Sequence, residues 1–299
     1  MDSLISLYQQ RLNLHGATFL QIEHDNATVA VVYKVTLPTG TPLILKVCTR
    51  TKDYLNEVYF LKHFAGALPV PRIIQVVQPK ADSDIMGAIL MEYLPGTLLT
   101  EKDITVALAY EIGLMLARIH LHRTAGYGDL TQPNDVNPDA RAAFTMKFQE
   151  GLAECSNHLP DELIEQCRVY FDAHINLLDY ADGPCITHRD YRAGNMIVSD
   201  GKLQGIIDWA AGRAGFAQED FCHLEHGGWP FNDSNKKAFL AGYASIRPVP
   251  EFAAMMPLLR LSRAIAIIGF TVKRGTWQTR DAQLYQFNRR FLETFFKKP

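Results

Sequence analysis

Cysteine is scarce in this 299-residue chain: there are five, they are scattered, and no two stand in a Cys-x-x-Cys pair. Such spacing is not typical of a zinc site or of a disulfide framework, so we expect reduced, buried thiols in a cytoplasmic protein. Long apolar runs are also missing, since none reaches the roughly 18 residues that a membrane helix needs. The first residues include Asp2 and lack a continuous apolar core, which argues against a secretory signal.

The chain also lacks a strong net charge, with 30 Lys and Arg against 32 Asp and Glu. The charge is unevenly distributed, however: residues 221–299 hold 12 Lys and Arg and 5 acids, whereas residues 1–220 hold 18 and 27. Basic side chains on solvent-facing helices explain this as well as nucleic-acid binding does. A further interpretation of the uneven charge is that the protein has a binding site or partner that is not strongly cationic. We predict neither a nucleic-acid partner nor a membrane partner.

The first third of the chain has the pattern of an antiparallel sheet. Runs rich in β-branched and aromatic residues alternate with turns, and a helix with Asp53 as a candidate N-cap is predicted at 53–64. The predicted strands are 18–23, 29–37, 42–48, 73–78 and 87–93. Leu94-Pro95-Gly96 then breaks the pattern.

The remainder is mainly helical, with apolar stripes at helical spacing over 104–119 and 161–178. A β-rich start followed by helices predicts an α+β protein. We expect two lobes, a small β-rich N-terminal lobe (1–94) and a larger helical C-terminal lobe (95–299).

A short β-rich island at 185–208 interrupts the helical part and concentrates oxygen-bearing side chains. Asp190 and Asn195 flank a polar loop, and Asp208 ends a hairpin whose turn is the Asp-Gly pair at 200–201. A hairpin folded onto the loop brings the three side chains together, and their oxygens are the ligands that Mg²⁺ prefers. An acid left free of metal can accept a proton from an attacking hydroxyl. His188 and Arg189 stand beside it and are candidates to orient the loop. Each element alone is common, but the ordered combination is not.

The sequence His-Arg-Asp-Tyr-Arg-Ala-Gly-Asn (188–195), followed by Ile-Ile-Asp-Trp (206–209), resembles the aminoglycoside phosphotransferase and choline kinase family of the protein-kinase-like fold. The resemblance implies that Asp190 is the catalytic base with His188 beside it, and that Asn195 and Asp208 bind Mg²⁺. Trp209 stands where protein kinases carry Phe-Gly, and no Ala-Pro-Glu follows within about thirty residues. Both details favour the small-molecule branch over a protein kinase.

The same resemblance assigns an ATP site to the N-terminal lobe. Lys46 ends a predicted strand between apolar neighbours, as the phosphate-binding lysine of kinases does, and Glu57 on the next helix is its expected partner. The hinge that offers backbone groups to adenine corresponds to the Glu92 carbonyl and the Leu94 amide. Asp220 resembles the family's structural Asp that braces the catalytic loop, although a helix cap is an equal alternative.

The chain departs from kinases at residues 23–29, where no glycine is present to build a phosphate-covering loop. Asn26 and Thr28 are candidates to donate side-chain hydrogen bonds to the phosphates instead, although both are ordinary turn residues.

These features predict an ATP-dependent, Mg²⁺-requiring phosphotransferase that moves the γ-phosphate to a hydroxyl of a small molecule. A kinase of choline, a sugar, an amino alcohol or a protein is an alternative on the same fold, and a nucleotide-binding pseudokinase with a regulatory role is an alternative of another class. The acceptor cleft is expected from residues 130–180 and 221–280, and the basic balance after residue 220 favours a neutral or weakly charged acceptor. The choice between ATP and GTP and the oligomeric state stay open.

Overall fold

The computed structural model describes residues 2–22, 30–81, 83, 85–226 and 230–297. The chain forms two compact units: the first comprises Met1–Ile119, His188–Arg213 and Pro230–Pro248, and the second comprises His120–Thr187, Ala214–Trp229 and Val249–Pro299. This grouping differs from a single division at residue 94, and the predicted lobes 1–94 and 95–299 stay a prediction.

In chain order, the described residues form α1 (Asp2–Arg11), β1 (Thr18–Gln21), β2 (Ala30–Thr36), β3 (Pro42–Cys48), α2 (Thr51–Phe64), β4 (Ile73–Val77), β5 (Gly87–Glu92), β6 (Thr97–Leu98), α3 (Val106–Leu121), α4 (Ala140–Glu154), α5 (Asp161–His174), β7 (Cys185–Thr187), β8 (Met196–Ser199), β9 (Lys202–Ile206), β10 (Arg213–Gly215), α6 (Ala217–His226), α7 (Asp233–Ala244), α8 (Met256–Lys273) and α9 (Ala282–Phe295). Short 3₁₀ turns link several of them.

The first unit is built on a five-stranded sheet in the order β1-β2-β3-β5-β4, with every neighbouring pair antiparallel. The five predicted strands and the α+β fold class are thereby confirmed. Buried residues alternate along β2, where Tyr33 and Val35 are buried, as expected for a strand with one face toward a core. Strand β5 is buried at every residue from Gly87 to Met91. Helix α1 contributes Tyr8, which is fully buried and donates its hydroxyl to the Met86 carbonyl at 2.8 Å.

Helix α2 follows β3 and begins at Thr51, so the prediction of Asp53 as its N-cap is wrong. Arg50 occupies the N-cap position without a capping side chain. Asp53 lies in the first turn, where a carboxylate faces the positive end of the helix dipole, and it accepts two hydrogen bonds of 2.7 Å from the Arg50 guanidinium.

A second sheet in the first unit, in the order β6-β8-β9, contains the predicted hairpin. Asp200 and Gly201 at its turn have φ of 50° and 71°, the left-handed pair that a tight two-residue hairpin requires. Helix α3 supports this hairpin, because the Leu203 amide donates to the Glu111 carboxylate at 3.1 Å. Helices α3 and α7 cross so closely that a Cβ on Gly113 would collide with the Phe239 carbonyl.

The second unit is mainly helical, with α4 packed on α8 and α8 on α9. The rings of Phe148 and Phe171 stack at 3.8 Å between centroids in its core. Helix α4 has no counterpart among the predicted helices, because small residues such as Ala143 and Gly151 occupy much of its buried face and weaken the apolar stripe. Strand β10 crosses from the first unit into the second, where it pairs with β7.

All five cysteines are buried thiols. Over the part of the chain that the structure describes, no helix has the length and apolar character to cross a membrane.

Candidate active site

Lys46 forms the centre of a buried ionic cluster in the first unit. Its ammonium donates to Glu57 Oε2 and to Asp208 Oδ1, each at 2.9 Å. Lys46 is 8% exposed and Glu57 2% exposed, whereas the Asp208 side chain is 34% exposed. The structure thus brings together the predicted Lys46–Glu57 pair and adds the predicted metal ligand Asp208 to it. One face of the cluster is accessible, and that face belongs to Asp208.

Two carboxylates share one ammonium, so the cluster carries net negative charge when both carboxylates are ionised. Burial alone would lower the pKa of Lys46, but Glu57 and Asp208 outweigh burial and raise it. Lys46 in turn holds the pKa of Asp208 below its usual range against the opposing effect of burial. Burial raises the pKa of Glu57; Lys46 opposes this rise and the Asp208 charge adds to it. Asp208 is therefore the carboxylate that keeps its charge most firmly, as a metal-binding anion must.

Helix α2 holds both the Glu57 side chain and the segment that carries Asp208. Asp208 has φ of 64°, a left-handed conformation that non-glycine residues adopt rarely and that recurs at functional sites. The following residue, Trp209, is fully buried and packs against Phe64 with ring centroids 4.7 Å apart. Asn56 donates its amide to the backbone carbonyl two residues after Asp208, at 2.8 Å. These contacts fix Asp208 relative to Glu57.

Asp190 lies in the loop between β7 and β8, and its carboxylate is oriented by two neighbours. The Asn195 amide donates to Asp190 Oδ2 at 2.6 Å and to the Asp190 carbonyl at 2.9 Å. Arg192 Nε donates to both carboxylate oxygens at 3.1 and 3.2 Å. The hydroxyl of Tyr191 anchors the loop on α3 by donating to the Ile112 carbonyl at 2.8 Å. Because the Asp190 side chain is 33% exposed, it is still accessible to a hydroxyl-bearing molecule.

His188 is fully buried and links the two halves of the site. The Asp190 amide donates to its Nδ1 at 3.3 Å, so this nitrogen is unprotonated, and Nε2 lies 3.2 Å from the Ile207 carbonyl, to which it donates. One ring nitrogen of His188 thus bonds to the Asp190 loop and the other to the end of the hairpin. In this geometry the role predicted for His188 is one of positioning Asp190.

The two predicted metal ligands, Asn195 and Asp208, are joined through the backbone. The Ile207 amide, next to Asp208, donates to the Asn195 carbonyl at 2.9 Å. Among the described residues no group of three or more His, Cys, Asp or Glu side chains forms a ready-made metal site. Mg²⁺ does not need such a group, because it is commonly held by one or two protein oxygens, phosphate oxygens and water. The Asp208 carboxylate and the Asn195 amide oxygen are ligands of this kind.

The other predicted nucleotide-binding residues are less well defined. Glu92 ends β5, where its carboxylate accepts the Arg72 amide at 3.0 Å, and Leu94 follows two residues later. Their contact with adenine stays a prediction. Asn26 and Thr28 lie outside the described residues.

Asp220 is fully buried in the first turn of α6, within the second unit. Its carboxylate lies 3.0 Å from His120 Nε2. Asp220 is not at the N-cap position of this helix, which begins at Ala217. The brace between Asp220 and the catalytic loop stays a prediction.

Residues 20–258 match the model of the phosphotransferase enzyme family (APH). The chain belongs to this family. The resemblance inferred from the motifs is thereby confirmed, and it extends over most of the chain. No curated protein matched the sequence.

Solved structures of aminoglycoside phosphotransferases share the fold. A thermostable variant of APH(4)-Ia in a ternary complex with AMP-PNP and hygromycin B has 14% identity and a TM-score of 0.70, with 99% of this chain and 100% of that chain covered. The gentamicin complex of APH(2")-IIa has 17% identity, a TM-score of 0.70 and coverage of 98% and 95%. ADP-bound APH(2'')-Ib has 16% identity, a TM-score of 0.63 and coverage of 98% of each chain. At such identities the similarity shows the fold alone.

Within this candidate site, sequence reasoning missed Arg192, Tyr191 and Asn56. Arg192 stands inside the quoted motif, two residues after Asp190, and a cation so close to a candidate base is a signal that could have been used. Tyr191 and Asn56 make contacts distant in sequence, to α3 and to the segment after Asp208. No local pattern indicates such partners.

Proposed function

We propose that the chain is an ATP-dependent, Mg²⁺-requiring kinase that transfers the γ-phosphate to a hydroxyl group of a small molecule. The observation that carries this proposal is the Lys46–Glu57–Asp208 cluster, which is joined to the Asp190 loop by the hydrogen bond from Ile207 to Asn195. A buried lysine between two acids and an accessible, oriented carboxylate are the groups that phosphoryl transfer requires. Family membership supports the reaction class, and the AMP-PNP and ADP in related structures support the nucleotide.

Each residue has a distinct part in this proposal. Lys46 binds the α- and β-phosphates and is kept in place by Glu57. Asp190 accepts the hydrogen bond of the acceptor hydroxyl and aligns it for in-line attack, with Asn195 and Arg192 fixing the carboxylate. Mg²⁺, when bound by Asn195 and Asp208, supplies neutralisation of the phosphate charge.

The test is a screen of hydroxyl-bearing small molecules with Mg-ATP, followed by mass spectrometry of the product. We expect acceptor-dependent ADP release and a product that has gained one phosphoryl group, both abolished by Asp208→Ala and by chelation of Mg²⁺. The matched control is Asp200→Asn, which changes an exposed turn carboxylate on the same hairpin and should leave turnover unchanged. Tight binding of Mg-ATP without transfer to any acceptor would favour a pseudokinase instead.

A further inference from the structure

A pocket of about 310 Å³ lies in the second unit among α6, α8 and α9. This volume is at the lower end of the range for small-molecule sites. Its lining residues come from three helices: His223, His226, Arg263, Ile267, Leu284, Phe287 and Asn288.

The lining residues are spaced so that each helix presents one face to the pocket. His223 and His226 are three residues apart on α6, Arg263 and Ile267 are four apart on α8, and α9 repeats the same spacing. Residues three and four apart share a helix face. The pocket is therefore built from helix faces rather than from loops, which favours a defined ligand geometry.

The polar atoms of the pocket have assignable roles. Asn288 donates its amide nitrogen to the Leu284 carbonyl at 2.8 Å, so its Oδ1 is the atom 2.7 Å from His226 Nε2 and His226 must donate there. Burial lowers the pKa of His226 to about 4, and this side chain is neutral near pH 7. Arg263 donates to His223 Nε2, which must therefore be an unprotonated acceptor.

The charge of the pocket consequently comes from arginine. Arg263 lines it, and Arg260, one turn earlier on α8, holds its guanidinium 4.9 Å from the Phe291 ring centre. Both arginines also act to lower the pKa of His226, so their field extends across the pocket. Glu219 and Glu225 of α6 oppose the arginines near Cys222, but no acid occurs among the described residues that line the pocket.

We propose that this pocket binds a small molecule that carries a carboxylate or phosphate next to an apolar body. Arg263 presents a half-buried guanidinium, the side chain best suited to a planar or phosphoryl anion. Ile267, Leu284 and Phe287 form an apolar wall, and the last two are 43% and 47% exposed, so a ligand body would remove apolar surface from water. A polycation would meet like charge here. Four of the lining residues fall in the segment 221–280 that is expected to supply part of the acceptor cleft. The proposal concerns binding of an anion alone, and it holds whether or not phosphoryl transfer occurs.

The test uses isothermal titration of the full chain with three probes of one carbon skeleton: anionic phenyllactate, neutral phenyllactamide and cationic phenylalaninol. We expect saturable binding of phenyllactate. The affinity for phenyllactamide should be about tenfold lower, because the amide cannot form a charge-assisted pair. Phenylalaninol should bind more weakly still. Equal affinities for acid and amide, or no saturable binding of phenyllactate, would overturn the proposal.

Substitutions inside and outside the pocket locate the binding. Arg263→Gln should weaken phenyllactate by about tenfold and leave phenyllactamide unchanged, whereas Phe287→Ala should weaken both. Arg290→Gln removes the same charge from the exposed face of α9 and should have no effect; a loss equal to that of Arg263→Gln would show a bulk charge effect and overturn the site. If Arg263→Gln does not fold, Arg263→Lys, which keeps the charge but loses the planar guanidinium, should still weaken phenyllactate and leave phenyllactamide unchanged. Asp190→Asn should bind phenyllactate like the wild type, which separates this result from any failure of phosphoryl transfer.

Discussion

At the residue scale, Lys46 pairs with two carboxylates. Substitutions of Lys46 and of Glu57 should therefore differ in their effect on nucleotide use and stability. Lys46→Met should abolish nucleotide use and lower stability, because Glu57 and Asp208 would then face each other without a cation. Breaking a fully buried ion pair costs about 3–5 kcal/mol. The loss of stability should be smaller here, since Asp208 is partly exposed. Glu57→Gln keeps the volume and the Lys46–Asp208 bond and should be milder. Titration with Mg-ATP and thermal melts of both variants measure this. Equal damage by both would show that Glu57 does more than hold Lys46.

Asp190 is expected to act in the transfer step and not in nucleotide binding. Asp190→Asn should lower kcat by about 10²–10⁴, because the amide cannot accept the proton, while Mg-ATP affinity stays within a few-fold. Steady-state kinetics with an acceptor from the screen, together with nucleotide titration, provide the measurement. Asp200→Asn, at the turn of the hairpin that follows the Asp190 loop, is the control. Turnover by Asp190→Asn close to that control would remove Asp190 from the role of base.

The motifs and the family resemblance pointed to Lys46, Asp190, Asn195 and Asp208. The structure places Lys46 against Asp208 and Asn195 against Asp190, and the chemical roles of all four stay predictions. The hydrogen bonding of His188 was not predictable, since its partner is the Ile207 carbonyl of the folded hairpin.

At the element scale, helix α3 supports both the Asp190 loop and the hairpin. Ile112 anchors Tyr191, and the adjacent Gly113 allows α7 to approach so closely that no side chain fits. Gly113→Ala should therefore destabilise the protein by about 1–3 kcal/mol or more and lower kcat in the fraction that folds. Denaturant unfolding and kinetics test this, with Arg118→Ala on the exposed face of α3 as the control. A variant as stable and active as that control would contradict the close crossing.

The contact between α6 and α9 should make stability depend on pH. The pKa of His226 is about 4 in the folded protein and about 6.5 when unfolded, so the unfolded state binds more protons between these values. The free energy of unfolding should then fall as pH drops from about 6.5 toward 4, by up to about 1.4 kcal/mol per pH unit. His226→Gln should flatten this slope, and the exposed His15→Gln should not. Identical slopes in the wild type and His226→Gln would exclude a buried neutral imidazole.

Elements with strong local signals were predictable, notably the five strands and the hairpin with its Asp-Gly turn. The start of α2 and the existence of α4 were not. At α2 a partly buried ion pair between Arg50 and Asp53 stands where a cap was expected. At α4 small buried residues leave little apolar periodicity.

At the scale of the whole molecule, the charge distribution bears on the acceptor. Aminoglycosides are polycations, and residues 221–299, which are expected to supply part of the acceptor site, hold 12 Lys and Arg against 5 acids. We expect kanamycin-, streptomycin- and hygromycin-type compounds to be poor acceptors, because like charges weaken both encounter and binding. Steady-state assays decide this: a kcat/KM of about 10⁴ M⁻¹s⁻¹ or more for any of them would contradict it.

Alkylation of the buried cysteines can report which part of the molecule unfolds. Burial raises the pKa of Cys48, Cys155, Cys167 and Cys222 to about 12, and a protonated, enclosed thiol does not react with alkylating reagents. A covalent label can therefore reach these sulfurs only when the surrounding structure unfolds. Cys48 lies in the first unit and the other four cysteines lie in the second, so peptide mapping after brief alkylation under mild denaturation would show which unit unfolds first, without an introduced probe.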